Sequence, residues 1–324
     1  MNAFSRIPTI LRPQEIIDKA MLKASKISEP YFPDFVKKIK AEVIDKISTV
    51  EGVTTSYFKK IISKFPSLNS LYPFYRGMIG LMVDLDQYRI SLSRIQWASD
   101  KIMELADLKI RNAKKRKTVQ ELNRDLKEFY GRFASIVKGV DSDLIFLADC
   151  RSKIKEIPNI KMDQPTFIIA GLPNVGKTSL LSRLTGSSPI IAPYPFTTQS
   201  IFIGYMDLGG RYVQIIDTPG ILDRPMSSRN EMEKKSILCL QDLESVLIFL
   251  FDFSGSSGYT DEEQENVYNE IVSNFRTPVI RVQSKCDLEQ DRREELRISC
   301  QTGEGIDALK AAILKKINED SRWI

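Results

Sequence analysis

The sequence predicts two architectures in series: an all-α helical bundle over 1–157 and, after a linker at 158–165, an α/β domain over 166–324. The α/β part is expected to carry a six-stranded, mostly parallel sheet with one antiparallel strand. Three observations carry this division. Nothing in 1–155 alternates like a strand, whereas apolar residues recur there at helical spacing. The stretch 156–165, Glu-Ile-Pro-Asn-Ile-Lys-Met-Asp-Gln-Pro, is polar and bounded by prolines. Beyond it, short β-rich runs alternate with helical ones.

Size and composition agree with two globular domains. A chain of 324 residues exceeds the usual single core, and 42% hydrophobic with 27% charged residues is ordinary for a folded protein. The longest apolar run, 246–251, is far short of the ~20 residues a membrane helix needs, and the first residues lack the apolar core of a signal peptide. Cys150, Cys239, Cys286 and Cys300 show no metal or redox spacing, so a reducing cytoplasm is the expected location. The chain has no histidine, which removes the commonest general base and zinc ligand together. Charge is uneven: residues 1–160 carry a net +10 and residues 161–324 a net −5. That asymmetry points to a polyanionic partner for the first half.

In the first half, Ile16, Ile17, Ala20, Met21, Ala24 and Ile27 follow Pro13 at helical spacing. Pro30 and Pro33 break the chain, and Asp34 reads as the N-cap of a helix through Ile47. A shorter helix over 54–64 stops at Pro66; one long helical stretch runs from Pro73 to about Arg116. Two more follow over 119–137 and 143–154. In the second half the β-rich runs are 166–170, 201–207, 211–217, 246–252, 278–283 and 296–299. The Leu208-Gly209-Gly210 turn makes the second and third antiparallel neighbours. The others are joined through helices and should be parallel. One hairpin strand in a parallel, helix-flanked sheet is the arrangement of a Ras-like G domain.

The chemistry begins at 170–179, Ala-Gly-Leu-Pro-Asn-Val-Gly-Lys-Thr-Ser, between the strand 166–169 and the helical run from Leu180. Strand, glycine loop and helix form a phosphate cradle. Gly171, Leu172, Asn174, Val175 and Gly176 supply inward-facing backbone N–H groups, Pro173 stiffens the loop between them, and Lys177 adds a cation near the β and γ oxygens. Thr178 supplies a hydroxyl for Mg²⁺, with Ser179 beside it. Downstream, Asp217-Thr218-Pro219-Gly220 closes the third strand. Asp217 is placed to hold the Mg²⁺ water shell and the Gly220 N–H to sense a γ-phosphate. Between them, Pro193-Tyr194-Pro195-Phe196-Thr197-Thr198 offers a threonine hydroxyl to the same ion, and Thr198 is the favoured ligand over Thr197. Gln283-Ser284-Lys285-Cys286-Asp287 follows a further strand. A carboxylate at Asp287 accepts from guanine N1–H and the N2 amino group together, a pattern adenine lacks. Ser299, Cys300 and Gln301 stand where a backbone N–H would meet guanine O6.

These residues resemble the Obg-related branch of translation-factor-class GTPases. The markers are Gly-Leu-Pro-Asn-Val-Gly-Lys-Thr-Ser, Tyr-Pro-Phe-Thr-Thr and Asp-Thr-Pro-Gly-Ile. The first half adds Ile7-Pro8-Thr9-Ile10, 15–20 (Glu-Ile-Ile-Asp-Lys-Ala), Pro73-Phe74-Tyr75, Asp86-Gln87-Tyr88 and Leu92-Ser93-Arg94-Ile95. Together they resemble the nucleolar GTP-binding protein family. The resemblance implies GTP and GDP as ligands, Mg²⁺ as cofactor and a role in large ribosomal subunit assembly. The partner would be that subunit or its precursor, with no membrane and no DNA. Two departures matter. Ser284 stands where the usual base motif has Asn or Thr, which loses an amide donor toward guanine N7. Ile221 stands where many GTPases carry a water-orienting Gln. Hydrolysis is then expected to be slow, with Asn174, Lys177, Thr198 and Gly220 as its catalytic set; Asn174 is implied by the resemblance to help hold an activating K⁺. A placeholder that needs GTP for shape and hydrolyses negligibly is the open alternative. Lys109, Arg111, Lys114, Lys115, Arg116 and Lys117, six cations with no acid among them, are the expected RNA contact.

Overall fold

A computed structural model describes all residues except 1–3, 5, 29–33, 187, 198–199, 276, 290, 292, 321–322 and 324. The expected breaks at Pro30 and Pro33, and Thr198, lie outside the described residues. The chain forms two compact units, one of residues 3–70 and 82–155, the other of 71–81 with 156–324.

The first unit is helical. Helix α1 spans Pro13–Ser25 and α2 Phe35–Lys64. The expected gap at 48–53 is absent: Gly52 faces open space, and the buried Val50, Thr54 and Thr55 continue the face set by Val43 and Ile47. One glycine weakens a helix by only ~1 kcal/mol, less than such a buried stripe contributes. Helix α3, Pro73–Met82, ends before α4, Leu85–Lys115. The single long helix expected there is divided at Asp84, whose carboxylate accepts from the N–H groups of Asp86 and Gln87. Helices α5, Val119–Lys138, and α6, Asp141–Glu156, follow; Thr118 caps α5. Within this unit α2 packs on α4, α1 and α5, and α4 on α5.

Helix α3 belongs to the second unit, which cuts across the expected domain limit at 157. The Tyr75 hydroxyl donates to the Ile160 carbonyl at 2.6 Å and accepts from the Ile160 N–H at 2.9 Å. Gly77 faces Cys239 so closely that a Cβ there would lie 3.1 Å from its Sγ.

The sheet of this unit has the strands β1 Thr166–Ala170, β2 Ile190–Pro193, β3 Ser200–Leu208, β4 Arg211–Asp217, β5 Ser245–Phe251, β6 Val279–Gln283 and β7 Leu296–Arg297. Their order is β2-β3-β4-β1-β5-β6-β7. The pairs β2–β3 and β3–β4 are antiparallel and the rest parallel. The fold class is the one expected. The seventh strand is the short edge strand β2, whose Ile190, Ile191 and Pro193 are exposed, so no alternating pattern announces it. Strand β5 is buried at all of its positions. Helices α7 Lys177–Thr185, α8 Glu231–Leu238, α9 Asp261–Phe275 and α10 Ile306–Glu319 complete the unit. Among the described helices none is long and apolar enough to cross a membrane.

Candidate nucleotide site

The loops that carry the expected residues follow the carboxyl ends of β1, β2, β4, β6 and β7. Ligands bind at the carboxyl ends of the strands in open α/β sheets. The loop after β1 needs its glycines. At Gly171 φ is +136° and a Cβ would lie 2.7 Å from the Leu250 carbonyl oxygen. Gly176, with φ +101°, is the left-handed residue before the first turn of α7. Asn174 also takes a positive φ, 63°, which asparagine tolerates better than most residues. Lys177 is buried, and its ammonium donates to the carbonyls of Gly171 and Leu172 at 2.8 Å each, folding the loop around it. Burial lowers the Lys177 pKa, while the carboxylates of Asp223 and Asp217 oppose that shift.

Thr178, at the start of α7, donates its hydroxyl to Asp217 Oδ2 at 2.6 Å. Asp217 is fully buried, and its Oδ1 has no hydrogen-bond partner among the described residues. Burial pushes its pKa up; the Thr178 hydrogen bond and Lys177 work against this. A buried, unpartnered carboxylate oxygen beside a threonine hydroxyl is an oxygen donor set suited to a hard divalent cation. Thr178 and Asp217 therefore fit Mg²⁺. Thr218 locks the following turn by donating to the Ile169 carbonyl. The Gly220 N–H donates to Asp223 Oδ2, and Arg229 donates to the carbonyls of Gly220, Ile221 and Arg224. Leu172, Pro173, Thr197, Gly220 and Asp223 line a cleft of about 380 Å³ here. Ile221 is fully buried and is a core residue.

On the base-reading side, the Ser284 hydroxyl donates to the Phe251 carbonyl at 3.0 Å and so ties β6 to β5. Lys285 takes φ +54°, and its ammonium reaches Asp252 Oδ2 and Ser256 Oγ, each at 2.7 Å. Asp252 is completely buried and also accepts from the Ser254 and Ser256 hydroxyls. Asp287 is exposed, with its carboxylate open to a ligand. The loop 299–303 is held by Gly303 N–H to Ser299 carbonyl and Thr302 N–H to Ser299 Oγ; Cys300 is half-buried and Gln301 exposed. Arg183 of α7 crowds Gly303, where a Cβ would meet its Nη2 at 2.5 Å.

Asp223, Arg229 and Asp252 are absent from the sequence-based set. Asp252 ends a strand as Asp-Phe-Ser, which resembles an ordinary Asx turn; only its contact with Lys285 reveals it. Arg229 sits in a polar run with no periodicity.

In the helical unit the expected cationic cluster requires correction. Lys109 is buried and forms ion pairs with Asp125 at 3.2 Å and Glu128 at 2.6 Å. It faces α5 and is not available to RNA. Arg116 is engaged by Asp125 at 2.8 Å. Arg111, Lys114, Lys115 and Lys117 are exposed and make no ion pair among the described residues. Lys40 joins them, its ammonium donating to the Lys114 carbonyl at 3.1 Å.

Two family models match in succession, the NOG1 N-terminal helical domain over 4–161 and the 50S ribosome-binding GTPase over 166–285. An uncharacterised protein of Methanocaldococcus jannaschii is 37% identical over 295 residues, covering 90% of this chain and 83% of that protein. The chain belongs to the nucleolar GTP-binding protein family. Family members named nucleolar GTP-binding protein 1 include one from Saccharomyces cerevisiae, 31% identical over 90% of this chain and 46% of its own length. Another, from Encephalitozoon cuniculi, is 28% identical over 95% of this chain and 61% of its own. The chain thus spans about half the length of these two eukaryotic members. With this family, the second unit is a GTPase domain that binds guanine nucleotide.

Proposed function

We propose that the chain is a GTP-hydrolysing switch in large ribosomal subunit assembly, with its helical unit on ribosomal RNA. The observation that carries the nucleotide half is Asp217, whose unpartnered Oδ1 is buried next to the Thr178 hydroxyl at the lip of the phosphate loop. Thr178 and Asp217, with Thr198 as a further ligand, would hold Mg²⁺, which would supply neutralisation of phosphate charge. Lys177 and the backbone N–H groups of 171–179 bind the phosphates. Asp287 reads guanine, and Lys285, fixed by Asp252, lies alongside it.

Water attacks the γ-phosphorus, the bond to the bridging oxygen breaks, and GDP and phosphate leave. Ile221, at the position of the water-orienting Gln, is in the core and has no group that can orient water. Slow intrinsic turnover follows. Asn174, exposed at the outer bend of the loop, is the residue on which K⁺ stimulation would act. The rate of phosphate release should rise in K⁺ over Na⁺ and lose that rise in Asn174→Ala; equal rates in the two salts would remove Asn174 from catalysis. A second reading, an assembly placeholder with negligible hydrolysis, is favoured by the burial of Ile221. Release measured with and without large subunits separates the two. The RNA half rests on the +10 charge of residues 1–160 and on the exposed Arg111, Lys114, Lys115 and Lys117. Co-sedimentation with large-subunit particles, loaded with a non-hydrolysable GTP analogue, tests it. Cytoplasmic action is the location this reading carries, resting on four cysteines without disulfide or metal spacing.

A further inference from the structure

The Gly220 N–H is the group placed to sense a γ-phosphate, and in this structure it is already engaged. It donates at 2.6 Å to Asp223 Oδ2, a carboxylate three residues further along the same loop. Asp223 is not a surface group that happens to swing in: it is 8% exposed and lines the cleft with Leu172, Pro173 and Gly220. Arg229 holds it there. The Arg229 guanidinium is 3.9 Å from Asp223 Oδ1 and ties down the loop on both sides through the carbonyls of Gly220, Ile221 and Arg224. Lys177, the cation of the phosphate loop, also feels the Asp223 charge. One anion therefore occupies the N–H that a terminal phosphate would use, and its charge reaches the ammonium of the phosphate loop.

We propose that Asp223 is a specificity-determining residue, an internal stand-in for the γ-phosphate that sets the preference between GTP and GDP. The proposal rests on the reading of the second unit as a GTP site with Gly220 as its γ-phosphate sensor. A single N–H makes one good hydrogen bond, and two anions cannot share it at such a distance. GDP leaves the Asp223–Gly220 bond in place. GTP has to displace the carboxylate, which moves toward Arg229 or into solvent and frees the loop 220–224. The sequence supports the division of labour: Asp-Thr-Pro-Gly-Ile-Leu-Asp places the competitor within one turn of the sensor, so displacement needs no large rearrangement.

The test compares the intact chain with its Asp223→Asn form, measuring Kd for GDP and for a non-hydrolysable GTP analogue. Asparagine keeps an oxygen acceptor for the turn and removes the charge. The expected result is a gain of about tenfold in analogue affinity with GDP affinity little changed, the size of one charged hydrogen bond. Equal changes for both nucleotides, or none, would overturn the proposal and leave Asp223 as a turn-forming residue. If Asp223→Asn does not fold, the wild-type chain decides: on replacing GDP by the analogue, exchange of the backbone amides at 221–223 must quicken while the Gly220 amide stays protected by the γ-phosphate, and identical exchange at 221–223 overturns the proposal. Absence of GDP binding by a folded wild-type chain would instead remove the underlying nucleotide reading, and this inference with it.

Discussion

Asp287 and Asp217 present the same functional group in opposite surroundings, and burial sets the difference. Asp287 is open and can be matched to a ligand; Asp217 is sealed under the phosphate loop with one oxygen left over. Replacing Asp287 by Asn turns an acceptor pair into an acceptor and a donor. Guanine should then be rejected in favour of a purine with an oxygen at position 2, so Asp287→Asn is expected to bind xanthosine nucleotides over GDP, as read by competition binding. Asp217→Ala should lose the Mg²⁺ dependence of nucleotide affinity, seen by titrating EDTA against bound nucleotide. At this scale the sequence was legible wherever spacing reports chemistry: 171–179, 217–220 and 284–287 all stand at the carboxyl edge of the sheet. It was silent on Asp223, Arg229 and Asp252, whose meaning comes from partners three, several or thirty-three residues away.

At the level of elements, the contact between α4 and α5 contains an ion cluster that a linear reading assigned to RNA. Lys109 is held by Asp125 and Glu128, and Asp125 is shared with Arg116. The hydrogen bond from Arg116, together with Lys109, holds the Asp125 carboxyl below its ordinary value; burial opposes this and loses. A carboxyl with a depressed folded-state pKa contributes stability above its ordinary value of 3.8 and loses it as the pH falls below that point. Acid unfolding of the helical unit should therefore begin near pH 4 and weaken in Asp125→Asn. At neutral pH, Asp125→Ala should cost about 3 kcal/mol in urea unfolding, the low end for a broken buried pair because Glu128 still reaches Lys109. The helix ends were partly hidden for a similar reason: Asp84 divides α3 from α4 through two backbone hydrogen bonds, which apolar periodicity cannot register. Gly52 shows the converse, a breaker overruled by a buried face.

Across the whole molecule, charge is segregated by sequence half, and the exposed cations beside the C-terminal end of α4 are what remains of the expected basic cluster. Charge reversal at Lys114 and Lys115 together should weaken binding to large-subunit RNA and lower the slope of log K against log salt by roughly 1 to 2. Unchanged affinity and slope would place the RNA site elsewhere. Lys109→Met, by contrast, should leave that slope alone.

Helix α3 gives the chain a schedule. Phe74, Tyr75, Met78 and Ile79 are buried, yet the backbone that Tyr75 bonds lies 85 residues downstream at Ile160. At synthesis rates of roughly 5–20 residues per second, that partner emerges about 4–17 s later. During this interval two aromatics and two aliphatics wait without their native neighbours. A fragment starting at 158 would never receive them, and the Ile160 N–H and carbonyl would be left without the Tyr75 hydroxyl. A peptide spanning 71–82, added in trans, should rescue the solubility of such a fragment. The second unit is thus completed by a piece of chain made before any of its strands.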